Sequence, residues 1–284
     1  MFNAGSETGG CSMEPGIYYD ISNEDYHQGE GISKSQLDII GQAPAELIWQ
    51  RNAPIDEEKI KSLDMGTALH CLLLEPDEFN NRFIEAPLFN RKTNAGKQEE
   101  KEFLEQCTDI KKTIMDHEQH RKLKIMRDSA LAHPIAKWFL EADGPSEISI
   151  YWNDSETDVL CRSRPDKLIT TADQDWIIDV KSSADMEKFE KDFYKYRYHV
   201  QDAFYSDGYK ALTGQLPTFV FLVVSTTINC GRYPVQTFIM DEQTKAAGRT
   251  TYRKNLETYA QCLKTDEWPG IRTLSLPYWA KDSE

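Results

Sequence analysis

Apolar positions recur along this chain at two different spacings, and the change between them divides it. From residue 33 to about 140 the spacing is helical. Ser33 is placed to cap a helix carrying Leu37, Ile40 and Leu47 on one side, and Pro44 interrupts that helix or begins another. From Leu63 the positions Leu69, Leu72 and Leu73 predict a further helix, stopped at Glu75-Pro76. Residues 77 to 95 read as a long loop and 96 to 132 as helices rich in Glu and Lys; a short helix with Trp138, Phe139 and Leu140 follows, ended by Gly144-Pro145. The spacing then falls to two. Glu147 to Trp152 alternates and pairs with Val159 to Leu168 as a hairpin, with Glu147, Ser149 and Tyr151 on one face. Cys161 to Ile169 and Trp176 to Lys181 flank the polar turn Thr170 to Asp175 and predict adjacent antiparallel strands. Helical spacing returns at Phe189, Phe193, Tyr196, Val200, Phe204 and Tyr209. Phe219 to Val224 predicts a doubly buried strand, Arg232 to Met240 a strand nearer the edge because of Pro234, and 241 to 265 a closing amphipathic helix. The class is therefore α/β, with a mixed central sheet of about five strands flanked by helices.

The ends break this order. Residues 1 to 14, with Gly5, Ser6, Gly9, Gly10 and Ser12, have no periodic apolar positions and predict a flexible leader. Residues 15 to 284 read as a single domain: a helical layer over about 30 to 140 and a core over about 146 to 265. The tail, with Trp268, Pro269, Leu276, Tyr278 and Trp279, is too aromatic for a free linker and is expected to pack.

Composition narrows the classes. With 284 residues and 39% hydrophobic content the chain can bury a core. Its longest apolar run, Phe219 to Val224, is too short to span a bilayer, and the N-terminus has no basic segment followed by an apolar one, so a cytoplasmic protein is expected. Six cysteines without a Cys-x-x-Cys pair argue against zinc and disulfides and for reduced thiols. The net charge of −14 opposes diffuse binding to a nucleic-acid backbone. Such binding requires positive charge concentrated locally, at Arg162, Arg164, Lys167 and Lys181, or in the run Lys111, Lys112, Arg121, Lys122, Lys124 and Arg127; a solvated helix face explains that run equally well.

Candidate chemistry lies on the paired strands. Alternation puts Asp179 and Lys181 on one side of a strand whose Ile178 and Val180 point to the other, a poor pattern for a core. With Asp166 on the neighbouring strand they make two carboxylates able to hold a hard divalent cation and a lysine able to meet a phosphate oxygen or an attacking water. Gln201 and Tyr205, four apart, share a helix face where they could grip a phosphate or orient a carboxylate. His70, one residue from core-facing positions, reads by itself as a satisfied buried histidine, and His117 and His120 as part of a solvated helix face.

Pro165-Asp166 and, thirteen residues on, Asp179-Val180-Lys181 resemble the PD-(D/E)XK nuclease signature. Gly66-Thr67-Ala68-Leu69-His70 and Gln201-Asp202-Ala203-Phe204-Tyr205 resemble the accessory motifs of its RecB-like branch. Over about residues 15 to 280 the chain is similar to the C-terminal nuclease domain of the prophage recombination exonucleases, the exodeoxyribonuclease VIII family. The resemblance implies a restriction-endonuclease-like fold and two Mg²⁺ ions held by His70, Asp166, Asp179 and the backbone carbonyl of Val180. Lys181 would position or deprotonate the attacking water, with Gln201 and Tyr205 in the catalytic set. Glu147 would be a third acid, an exposed strand carboxylate being an equal reading. It further implies 5′-to-3′ degradation of one strand of linear double-stranded DNA, 3′ overhangs passed to a single-strand annealing protein, a ring-shaped homotetramer and a longer N-terminal region. The rivals are another RecB-like nuclease, acting on single strands or as an endonuclease, and a catalytically silent DNA-binding scaffold.

Overall fold

The structure, a computed structural model, describes residues 13–55, 65–108 and 112–276. Its first elements are β1 (Gly16–Tyr18), α1 (Asn23–Gln28), β2 (Ile32–Ser33), α2 (Lys34–Ile40) and α3 (Pro44–Asn52). Ser33 caps α2 as expected, in a reciprocal pair with Gln36, and Pro44 opens α3. Next, α4 (Met65–Leu74) buries Leu69, Leu72 and Leu73. The expected long loop from 77 is instead α5 (Pro76–Arg82) and β3 (Phe83–Glu85). Pro76 both ends α4 and starts α5, since a helix's first residue has no need of its N–H. Beyond α6 (Asn94–Thr108), β4 (Thr113–Met115) pairs in parallel with β3. Strands of three residues are too short to show a period. Two further helices, α7 (His117–Ala132) and α8 (Pro134–Glu141), complete this half of the chain.

The second half contains β5 (Ser149–Asn153), β6 (Leu160–Ser163), β7 (Lys167–Thr170), β8 (Asp175–Ser183), α9 (Phe189–Lys195), α10 (Tyr198–Thr213), β9 (Thr218–Ser225), β10 (Val235–Phe238) and α11 (Glu242–Thr265). The expected single sheet of about five strands is corrected. Among the described residues there are two four-stranded sheets, ordered β1-β5-β6-β2 and β10-β9-β8-β7, besides the β3-β4 pair. The expected strand Cys161 to Ile169 is cut at Arg164-Pro165-Asp166, where proline removes a ladder donor and restricts φ. β6 stays in one sheet and β7 enters the other, so Asp166 stands at the seam between them. There the Glu147 N–H donates to the Asp166 carbonyl at 2.9 Å, and Ser146 bridges Lys167. Glu147 has a φ of 55°, so it precedes β5 rather than sharing its face with Ser149 and Tyr151 as expected.

The second sheet is mixed: β8 runs antiparallel to β7 and parallel to β9, which lies antiparallel to the edge strand β10. It separates two cores. Ile177, Phe219, Phe221 and Val223 pack with Phe204, Tyr252 and Leu256 of α10 and α11. Ile178, Val180, Val220 and Leu222 pack on the other face with Leu69, Leu123, Met126 and Phe139. Each such fully buried side chain contributes about 1.5–3 kcal/mol, which makes β8 and β9 a stiff support for what projects from them.

In the tail, Trp268 packs on Tyr259 with centroids 6.0 Å apart and Pro269 accepts a hydrogen bond from Ala45, whereas Ile271, Leu274 and Leu276 are exposed, against expectation. Tyr278, Trp279, Leu63, Lys111 and most of the predicted leader lie outside the described residues. Cys71, Cys107, Cys161, Cys230 and Cys262 are free thiols. Among the described residues no helix is long and apolar enough to cross a membrane.

Candidate active site

Helix α4, the turn before β5 and the connection between β6 and β7 bring three side chains together beside a cleft of about 660 Å³, which His70 and Glu147 line. His70 projects from α4, with Nε2 2.8 Å from Asp166 Oδ2 and Nδ1 3.2 Å from Glu147 Oε1. One donor atom from each of these three residues falls within 4.8 Å of the others. One imidazole nitrogen and two carboxylates on an open cleft suit a hard divalent cation that keeps part of its water shell. Arg164 holds the outer side of this group: its Nε donates to Glu147 Oε2 at 2.9 Å, and its two terminal nitrogens donate to Ser149 Oγ and the Ile21 carbonyl.

Asp179 and Lys181 project from β8 to the α10 side of the sheet. Lys181 Nζ lies 2.5 Å from Asp179 Oδ2, and the Gln201 amide of α10 donates to Asp179 Oδ1. The backbone joins the two groups, because the Val180 N–H donates to Asp166 Oδ2 at 2.6 Å. Asp179 is therefore a neighbour of the His70–Glu147–Asp166 set, with both oxygens already engaged.

The charges couple. Burial pulls the His70 imidazole down, but Asp166, with help from Glu147, overcomes this and carries it up to about 9. For Asp166 burial works upward, and the His70 imidazolium and Lys181 outweigh it, leaving the carboxyl below its ordinary value. Burial pushes Asp179 up to about 6 against the pull of Lys181. Burial likewise raises Glu147. Lys181 is held above its ordinary value because Asp179 and Asp166 overcome its desolvation, so it stays an ammonium.

Of the residues expected to act together, His70, Asp166, Asp179, Lys181 and Gln201 converge, and Glu147 joins them. Gln201 is buried, and its amide donates to Asp179. Tyr205 packs between Phe204 and Phe219, and the Arg164 backbone bonds its hydroxyl. Val180 lines the cleft. Arg164 and Lys181 of the expected basic residues line the cleft, but Arg162 and Lys167 do not. Arg162 is buried and caps the carbonyls of Tyr26, His27 and Gly29, while Lys167 donates to the Leu140 carbonyl at 2.8 Å. In the 112–127 run, Arg121 and Arg127 pair with Glu118 and Asp128. His117 and His120 are not merely solvated, since both bond the Glu85 carboxylate. Sequence reasoning missed the segment Tyr19 to Asn23, which also lines the cleft; it runs from the end of β1 into α1 and has no periodicity.

Residues 33–272 match a family described as "PDDEXK-like domain of unknown function (DUF3799)". Among solved structures, a protein from Eubacterium rectale that carries the provisional name exonuclease is 8% identical and superposes with a TM-score of 0.56 over 93% of this chain and 97% of that one. The structure of SSO0001 is 11% identical with a TM-score of 0.29 over 79% of this chain and 84% of that one. Protein VC1899 from Vibrio cholerae is 15% identical with a TM-score of 0.22 over 81% of this chain and 56% of that one. The last two scores are too low to carry an argument; the first shows a shared fold, and the match to a PDDEXK-like family makes this mixed α/β fold one of the restriction-endonuclease-like kind. No curated protein matches the chain.

Proposed function

The chain belongs to the family of PDDEXK-like domains, and from that premise we propose that it is a Mg²⁺-dependent exodeoxyribonuclease, the counterpart of exodeoxyribonuclease VIII (RecE). In this reading it degrades one strand of linear duplex DNA from 5′ to 3′ and leaves 3′ overhangs for an annealing protein. The observation that carries the reading is the meeting, beside one cleft lined by His70, Glu147 and Lys181, of the His70–Glu147–Asp166 donor set with the Asp179–Lys181 pair. His70, Glu147, Asp166 and Asp179, with the Val180 carbonyl, are the groups that would hold one or two ions. When bound, such ions polarise a phosphoryl oxygen and acidify a bound water.

The chain's own groups do the rest. Lys181, kept as an ammonium by its acidic neighbours, steadies charge developing on the phosphate and is a poor proton acceptor. Gln201 holds the Asp179 carboxylate in one orientation. Arg164 does the same for Glu147. With a net charge of −14, long retention on DNA calls for threading through a closed assembly, for which a homotetramer ring is the proposed form.

End-labelled linear duplex with Mg²⁺ tests this. Expected are long 5′-to-3′ degradation, resistance of covalently closed circles, loss of activity with EDTA or in Asp179→Ala, and sedimentation of the active species as a tetramer. Nicking of closed circles as fast as linear digestion would move the reading to an endonuclease, and wild-type activity in Asp179→Ala would remove the site.

A further inference from the structure

Beside the cleft stand aromatic rings that the proposed hydrolysis leaves unused. Tyr196, 51% exposed, stacks on Tyr198 with centroids 5.7 Å apart and planes 27° from parallel. Tyr198 stacks in turn on buried Phe221 at 5.5 Å and 26°. It also lines the cleft, its ring 5.0 Å from Lys181 Nζ. Three rings thus form a ladder from the core, past the lysine of the candidate site, to solvent.

The ladder is held in place. Between its tyrosines, Arg197 takes a left-handed conformation with φ of 57°, a cost that the surroundings must offset. Its Nε pairs with Asp38 at 2.9 Å; Lys34 pairs with the same carboxylate and donates to the Tyr196 carbonyl at 3.1 Å. A further cation, Lys195, lies 5.2 Å from the Tyr196 ring. An exposed ring ladder flanked by ammonium groups is the combination that holds single-stranded nucleic acid, since every base has a face to stack and the cations meet its backbone. Paired bases inside a duplex do not offer that face.

We propose that Tyr196 and Tyr198 form a stacking platform for unpaired bases next to the phosphate being cut, so that the substrate strand reaches Lys181 already separated from its complement. The proposal rests on the nuclease reading above. Its test is a single-stranded DNA oligonucleotide containing 2-aminopurine, titrated with Ca²⁺ in place of Mg²⁺ to suppress cutting. Wild type and Tyr196→Phe should quench the fluorophore. Tyr196→Ala, with unchanged melting temperature, should lose the quenching and bind roughly 5- to 150-fold more weakly. Wild-type quenching and affinity in Tyr196→Ala, or failure of Tyr196→Phe, would overturn the platform. A wild type that cuts linear duplex without quenching would remove the platform and leave the nuclease standing, whereas one that neither binds nor cuts DNA would remove both.

Discussion

Arg164 ties three segments together through one guanidinium, and one of its bonds holds the Glu147 carboxylate that faces His70. Removing the fork frees the carboxylate to swing away from His70. Arg164→Ala should therefore weaken divalent-cation affinity about 10- to 100-fold, as loss of an outer hydrogen-bond partner commonly does, and destabilise the fold by about 1–3 kcal/mol. Arg164→Lys should restore little, because an ammonium cannot make three diverging bonds; titration calorimetry checks both, and unchanged affinity would end the positioning role. Asp202 gives a pH signature. It is fully buried beside Ser206, and burial raises its carboxyl from 3.8 to about 6 despite the pull of Lys245. The folded state therefore holds the proton more tightly than the unfolded one, and a penalty for ionising develops as pH rises from about 4 to 6 and is complete above 6. Asp202→Asn should gain about 1–3 kcal/mol over wild type at pH 8 and almost nothing at pH 4, measured by urea unfolding at both. At this scale the motif was legible, since alternation alone places Asp179 and Lys181 together. The fates of Arg162 and Lys167 were not, because charge does not reveal which carbonyls will surround a cation. The contact of Glu147 with distant His70 was not legible either, although the resemblance named Glu147 as a third acid.

Helices α10 and α11 cross where Gly248 lies against the backbone of His199. A Cβ at 248 would come 2.0 Å from the His199 carbonyl oxygen, a group with no side-chain freedom to yield. Gly248→Ala should cost about 3 kcal/mol through overpacking and displace α10, which carries Gln201. A lowered melting temperature together with weakened cleavage is expected, and a neutral effect would show that the helices can part cheaply. Elements with a clear period, such as α4, β9 and α11, fall where the apolar spacing puts them. Elements of three residues, β3 and β4, were illegible because two alternations do not make a pattern. The break between β6 and β7 was legible in principle from Pro165, yet the β-forming residues on both sides disguise it as one strand.

For the molecule as a whole, the pattern of strands and helices gave the class but not the division into two sheets, which follows from long-range pairings such as β1 with β5 and β2 with β6. The seam between those sheets has a consequence for how the chain matures. His70, Glu147 and Asp166 come from separate stretches and meet only when α4 is docked beside both sheets; no single element holds the full donor set. Closing such distant loops is slow and comes late in folding. Cation binding should accordingly vanish together with global structure across a urea titration, with no partly unfolded form retaining it. A nascent or damaged copy would then cut nothing, because nuclease competence arrives only with the completed tertiary topology.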